Sequence, residues 1–549
     1  MLKYGLVFLT GTLLTLSFPP FKYYPLAWVA FVPLFWALFK VNPVRKLGQG
    51  IKPHPGKRGM STPLDSEHLT GSTPWQATGH FFNGVNLSKA FNLGLFCGAV
   101  HYFGLLYWIV YATVKYGGLS YISGIFLLVL LVMYLSLYFA LFSSLIQRLN
   151  KESWLFPIIA SAIWVGLEYI KGHLLTGFPW ELLGDSQYRW LTFIQIADIG
   201  GIYLLSFLVM LGNAVLFQLI CFPKKGLLGA VSLLIIMSGV FYYGERQLKN
   251  WAALMASLPK INLAVIQGNI DQSDKWDKTF QEKTIQIYED LTRQAEKMSP
   301  EIIIWPETAI PFYFQESSIY QSRILNLSKQ IKTPLLVGSP AYELDRGTIK
   351  YFNRAYLINF KGKIASYYDK THLVPFGEYV PCRRLLFFLP HLVNVIGDFS
   401  PGVIKPLFGF KYPLGVLICF EGIFPELSTK LVKSGALLLI NITNDAWFGK
   451  TSAPYQHLSM LAIRAVENRR SIARSANTGF SAFIKPTGEI INRSSLFVSG
   501  YFYEKLPIFE GKTFYTRYGD ILAIPCLCVI FIYILLELRR SLWRKSKKV

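Results

Sequence analysis

Eight long apolar runs constrain this chain more than any other feature. They cover about residues 4–18, 23–39, 91–113, 119–146, 154–170, 191–222, 227–243 and 519–537. Lipid offers the backbone no hydrogen-bond partners, so such runs enter a membrane as helices. About 20 residues cross the hydrocarbon core, and the middle runs pass that length easily. The first two are short and hinge around Pro19-Pro20, which predicts a tight helical hairpin. Residues 1–18 have the apolar character of a signal peptide. No small-x-small cleavage site follows them, however, and another apolar run does, so they read as a retained segment. Charged residues are only 16% of the chain, against about 25% in soluble domains. That excludes a disordered polyelectrolyte and argues against a fully soluble protein.

The net charge of +23 is not a nucleic-acid footprint, because the basic residues cluster beside apolar runs. Lys40, Arg45, Lys46, Lys52, Lys57 and Arg58 follow the second run, and Arg148 and Lys151 the fourth. Lys224 and Lys225 follow the sixth, and RRSLWRKSKKV the eighth. If every run crosses once, all four clusters fall on one side, which the positive-inside rule makes the cytoplasm. The polar stretch between runs seven and eight then lies outside. Residues 42–90, rich in Gly, Pro, Ser and Thr, read as a cytoplasmic loop without regular structure. The six cysteines (Cys97, Cys221, Cys382, Cys419, Cys526 and Cys528) show no CxxC spacing. Neither a disulfide framework nor a metal site is expected.

Between residues 259 and 510 the pattern changes. Short β-rich strings (INLAVIQGN, EIIIWP, PLLVGSP, AYLINF, PLGVLICFE, ALLLINIT) alternate with amphipathic stretches at 277–298 and 455–471, the mark of a layered α/β domain. The expected organisation is a transmembrane bundle over 1–243, an extracytoplasmic α/β domain over 259–510, a last span over 519–537 and a basic cytoplasmic tail over 538–549.

Three polar residues sit at or beside strand ends in the α/β segment. Glu307 follows IIIWP, Lys370 lies in YYDKTHLVPFGEYVP, and Cys419 ends GVLIC. A thiol is a weak nucleophile at neutral pH and needs a base or a nearby positive charge. A carboxylate can take its proton, and an ammonium can stabilise both thiolate and oxyanion. His372 and His457 pair with nothing visible and read as structural. Asn444 and Asp445 read as shaping the turn after their strand. His101, Glu168 and Asp198, inside the apolar runs, read as hydrogen-bonding groups of the bundle; no inverted repeat supports a transport pathway.

The blocks WPE, DKTHLVPFGEYVP, ICFE and TNDAWFG resemble the nitrilase superfamily. Together with SFPPFKYYPLAWVAFVPL, TGFPW, GDSQ, VIQGNIDQSDKWD and RAVENRRSIARSANTGFSAFIKPTGEI, the pattern is similar to its membrane-bound branch, the apolipoprotein N-acyltransferases. The resemblance implies an αββα sandwich with Glu307 as general base, Lys370 as oxyanion stabiliser and Cys419 as nucleophile. It implies that Glu378 supports Lys370, a structural ion pair being the alternative. Trp276, Phe420, Glu421 and Trp447 would contact substrate, although Trp276 could equally pack the domain against its own loops. It further implies a bacterial inner membrane location with a periplasmic catalytic domain and no cofactor. A phospholipid would be the acyl donor and a diacylated apolipoprotein the acceptor. Residues 378–400 are the candidate lid. Two departures stand out: Phe420 replaces the Tyr usual after the nucleophile, and the 42–90 insertion is long.

Overall fold

The computed structural model describes residues 1–39, 87–316, 319–379 and 399–546. Most of the expected loop at 42–90 and nearly all of the candidate lid at 378–400 lie outside the described residues; residues 87–90 of that loop are helical instead. The N-terminal hairpin consists of helices α1 (Leu2–Ser17) and α2 (Val32–Phe39). There follow α3 (Leu87–Leu106), α4 (Trp108–Lys115), α5 (Tyr121–Ile146), α6 (Phe156–His173), the single turn α7 (Leu191–Ile194), α8 (Ala197–Cys221) and α9 (Pro223–Ser257). Among the described residues, α5, Phe156–Thr176, α8 and α9 are long and apolar enough to cross a membrane. The pair Ser88–Leu106 and Trp108–Lys115, bent by 54°, makes a fifth if it is one span. Leu2–Ser17 and Tyr24–Phe39 are shorter apolar helices.

Two boundaries differ from the hydropathy reading. The run at 191–222 is broken into α7 and α8, and α8 is itself kinked at Gly201, whose φ is 62°. A side chain there would strike the Tyr515 ring. The run at 227–243 continues as helix to Ser257. Thirty-five residues at about 1.5 Å each exceed the hydrocarbon thickness, so α9 carries the chain out of the apolar zone and hands it to the first strand at Lys260.

The α/β segment folds into two sheets. The first has the order β11-β1-β2-β3-β4-β5 and the second β10-β9-β8-β7-β6. Their strands are β1 (Lys260–Gln267), β2 (Ile302–Ile304), β3 (Leu335–Asp345), β4 (Thr348–Ile358), β5 (Ile364–Asp369), β6 (Leu414–Ile418), β7 (Leu438–Thr443), β8 (Ile472–Ala476), β9 (Ala482–Ile484), β10 (Ile490–Ile491) and β11 (Gly500–Pro507). Alternation along the strands sorts the side chains. Leu263, Val265, Ile302 and Ile304 of the first sheet meet Val416, Ile418, Ile440 and Ile442 of the second in a dry layer. Ala264, Ile266 and Ile303 face the other way, onto α11 (Gln281–Glu296) and α12 (Ile319–Ile331), through Ile285, Tyr288, Ile324 and Leu327.

The second sheet's outer face is covered by α13 (Pro425–Lys433) and α14 (Ala453–Asn468), and these helices pack into the membrane bundle. Leu417, Leu439, Leu458 and Leu461 belong to the same buried cluster as Trp164, Trp180, Phe193 and Leu205. Bundle and sandwich therefore share one continuous core. An ion pair and a hydrogen bond reinforce the junction: Arg469 Nη2 lies 2.6 Å from Asp198 Oδ2, and Glu467 accepts the Ile202 N–H at 2.9 Å. The C-terminal helix (Ala523–Ser546) lies on α6 and is tied to α5 by Tyr533, which donates to the Leu145 carbonyl.

Candidate active site

Glu307 follows β2, Lys370 follows β5 and Cys419 follows β6, so three strand ends from both sheets open onto one place. Cys419 begins a short 3-10 turn with φ of 53°, a left-handed conformation that costs a non-glycine residue free energy and marks functional turns. Two donors hold its carbonyl: Asn441 Nδ2 at 3.3 Å and His457 Nε2 at 3.1 Å. The residue as a whole is half-buried.

Lys370 Nζ donates to Glu378 Oε1 at 2.9 Å and lies 3.6 Å from Glu307 Oε1. Burial works against its charge, but Glu378 and then Glu307 outweigh it, and its pKa is raised. The ammonium is permanent at any working pH. Asn353, in β4, bridges the two carboxylates, donating from Nδ2 to Glu307 Oε1 at 2.7 Å and to Glu378 Oε1 at 3.1 Å. The second oxygen of Glu307 accepts the Asn444 N–H at 2.9 Å, and that of Glu378 accepts the Val374 N–H at 2.8 Å. Burial and the Glu307 carboxylate push the Cys419 thiol up, against the pull of Lys370. At rest the sulfur keeps its proton, with a carboxylate beside it to receive it.

Glu421 departs from its expected place against substrate. It is fully buried, and Oε1 accepts from Thr371 N–H (2.7 Å), Thr371 O–H (2.8 Å), Tyr368 O–H (3.0 Å) and His372 N–H (3.1 Å). Its Oε2 accepts the Ile418 N–H at 2.7 Å. With every contact spent on the segment around Lys370 and on the residue before Cys419, Glu421 joins the two segments and leaves nothing for a ligand. Burial raises its pKa, partly offset by the Ile418 N–H, the Lys370 charge and the Thr371 and His372 N–H groups.

The expected aromatic contacts divide. Phe420 packs on Phe178 of the bundle (6.3 Å between ring centroids), on Phe424 (5.1 Å) and on His372 (6.0 Å), placing an apolar wall next to the nucleophile. Trp447 meets Tyr116 of the bundle edge-on at 5.4 Å. Trp276 is 42% exposed. His372 is held neutral, its pKa lowered to about 4 by burial and by Lys370.

Sequence reasoning missed several groups. Asp445 lies between Arg474 (2.6 Å) and His457 (3.1 Å), and His457 does reach Cys419, through its carbonyl. Burial notwithstanding, Arg474 and then His457 hold the Asp445 carboxyl well below the usual range. Asn353 and Arg474 carried a faint signal, since polar residues inside apolar strands demand buried partners. Lys275, buried beside Glu307, carried none.

A model described as carbon-nitrogen hydrolase matches residues 262–508, and one described as apolipoprotein N-acyltransferase N-terminal domain matches residues 10–49 and 69–215. An apolipoprotein N-acyltransferase from Geobacter metallireducens is 42% identical, over 98% of this chain and 96% of its own. One from Haemophilus influenzae is 29% identical over 100% and 96%. Among solved structures, Saccharomyces cerevisiae Nit3, of branch 10 of the nitrilase superfamily, is 22% identical over 45% of this chain and 90% of its own, with a TM-score of 0.36. Full-length similarity at 42% identity, with both family models matched in chain order, shows that this chain belongs to the apolipoprotein N-acyltransferase family.

Proposed function

We propose that the protein moves an acyl chain from a membrane phospholipid to the α-amine of the diacylglyceryl-modified N-terminal cysteine of apolipoproteins. Glu307 takes the Cys419 proton and the thiolate attacks the donor's ester carbonyl. The Lys370 ammonium and a backbone N–H near Cys419 hold the oxyanion; Glu378 steadies Lys370. The tetrahedral intermediate expels the lysophospholipid alkoxide, which takes the proton from Glu307, and a thioester remains on Cys419. The acceptor amine then attacks the thioester and gives its proton to Glu307, which returns it to the departing sulfur. No cofactor enters this scheme.

The single observation that carries the reading is the convergence of Glu307, Lys370 and Glu378 beside a strained Cys419, in a domain whose core is continuous with an apolar bundle. Eight spans with the sandwich on the periplasmic side of the bacterial inner membrane, as the flanking charges favour, bring the site to both lipid-anchored substrates. Extracting an acyl chain into water would cost about 0.8 kcal/mol per CH₂. Domain limits near 1–243, 259–510 and 519–537, with a basic cytoplasmic tail at 538–549, belong to the same proposal. So do contacts from Trp276, Phe420 and Trp447 to the lipids.

The test is incubation of the purified chain with a fluorescent phospholipid and a diacylated lipopeptide. A hydroxylamine-sensitive acyl adduct on Cys419, absent in Cys419→Ser, followed by transfer to the peptide amine, is the expected outcome. Hydrolysis of a small amide without peptide acylation would favour a membrane-tethered amidase instead. No adduct and no product would leave a transporter or scaffold whose outer domain lacks catalysis.

A further inference from the structure

Lys275 ends the short helix α10 (Gln272–Lys275) and is only 2% exposed. A buried ammonium needs partners, and those of Lys275 lie on the residue pair carrying the base. Its Nζ donates to the Glu307 backbone carbonyl at 3.3 Å and to Thr308 Oγ1 at 2.5 Å. Thr308 has a φ of 45°, so the peptide after Glu307 is held in a strained turn that the lysine clamps. The same helix reaches Glu307 a second way: Gln272 Oε1 accepts from Asn444 Nδ2 at 2.6 Å, and Asn444 N–H binds the Glu307 carboxylate.

We propose that Lys275 is a positioning residue for the general base, fixing Glu307 by its main chain and setting a positive charge beside it. This deepens the acyl-transfer reading and rests on it. The set in closest contact is Glu307 and Glu378, formally negative, with Lys370 and Lys275, formally positive; around it Cys419 faces Lys275, Glu421 and His372 face Lys370, and Asp445, paired with Arg474 and His457, faces Cys419. With Lys275 charged the set is neutral. Without that charge it is one unit negative, and a low-dielectric site relieves this by protonating a carboxylate. A protonated Glu307 cannot accept the thiol proton. Burial lowers the Lys275 pKa to about 7, with Glu307 and then Cys419 holding it up against further loss. The charge is therefore present below about pH 7 and fades above it, so it serves Glu307 on the acid side of the profile.

The experiment measures acylation of Cys419 in the full-length protein, in vesicles of phosphatidylethanolamine and phosphatidylglycerol, across pH. In Lys275→Met the rate should fall roughly 10²-fold, the scale of one general-base contribution, and the acid limb of its pH profile should move to higher pH. Thr308→Val keeps the cation and loses one clamp; its rate should fall several-fold with the limb in place and the melting temperature preserved. An unshifted limb in a folded Lys275→Met overturns the proposal. If Lys275→Met does not fold, an unchanged acylation rate in Thr308→Val overturns it. Failure of the wild-type protein to form any adduct instead overturns the acyl-transfer reading itself.

Discussion

Replacing Glu421 with Gln tests whether this buried carboxylate couples the lysine loop to the nucleophile. Five donors converge on it, four on Oε1 and one on Oε2. The amide of Gln has one accepting oxygen. In the cheaper orientation it stays with the four donors and turns its NH₂ toward the Ile418 N–H, donor against donor. That forfeits one charge-assisted hydrogen bond, about 1.5–3 kcal/mol, and weakens four others from charged to neutral. A total near 3 kcal/mol lowers the melting temperature of a domain of this size by roughly 5–10 °C. The released N–H belongs to the residue before Cys419, so the strained turn loosens and acylation of Cys419 should slow at least about tenfold, the effect of a small misplacement. Thermal unfolding and adduct formation are measured on the same preparation. A variant that keeps both the wild-type melting temperature and the wild-type acylation rate refutes the reasoning; one that loses stability but acylates normally refutes the coupling.

Asn353→Asp replaces the donor between Glu307 and Glu378 with a third carboxylate. One carboxyl must then hold a proton, and acylation should fall about 10²-fold or more in the same adduct assay. For Asp445 the folded-state pKa is depressed by Arg474 and His457, so its stabilising effect is complete above the unfolded value of about 3.9 and is lost as pH falls below it. The melting-temperature gap between wild type and Asp445→Asn should be constant from about pH 8 to 5 and narrow under about pH 4. Asp198→Ala strands a buried Arg469 at the junction of bundle and sandwich. A cost of about 3–5 kcal/mol should appear in thermal unfolding, and proteolysis should open the junction first.

Much of this protein is written in local patterns. Apolar runs of span length and strings such as EIIIWP and ALLLINIT announce helices and strands because burial of a repeating face needs only neighbours in sequence. Strands β5, β8 and β11 are less visible. IASYYD and IARSA are short and partly polar, and a strand whose polar side chains are satisfied elsewhere lacks the usual alternation. Glu307, Lys370 and Cys419 were legible through their surrounding blocks. Asn353 was only faintly so, and the Asn444 main chain and Lys275 were not, since each becomes meaningful only through a partner brought near by folding.

Helix α14 marks the dividing line. The sequence alone predicts an amphipathic helix over 455–471, of which 455–468 fall in α14, and amphipathic helices ordinarily give their polar face to water. The tertiary structure buries that face too. Gln456 accepts from Trp108 and Trp180, Ser459 donates to Glu181, and Glu467 receives the Ile202 N–H. Periodicity specifies that a polar stripe exists, but whether water or a second domain satisfies it depends on hydrogen-bond partners hundreds of residues away. The chain's own order thus fixed a membrane bundle, an α/β sandwich and three chemical groups. Only packing decided that the sandwich is seated in the bundle, and that His457, one residue beyond the Gln456 held by the bundle's tryptophans, grips the Cys419 carbonyl.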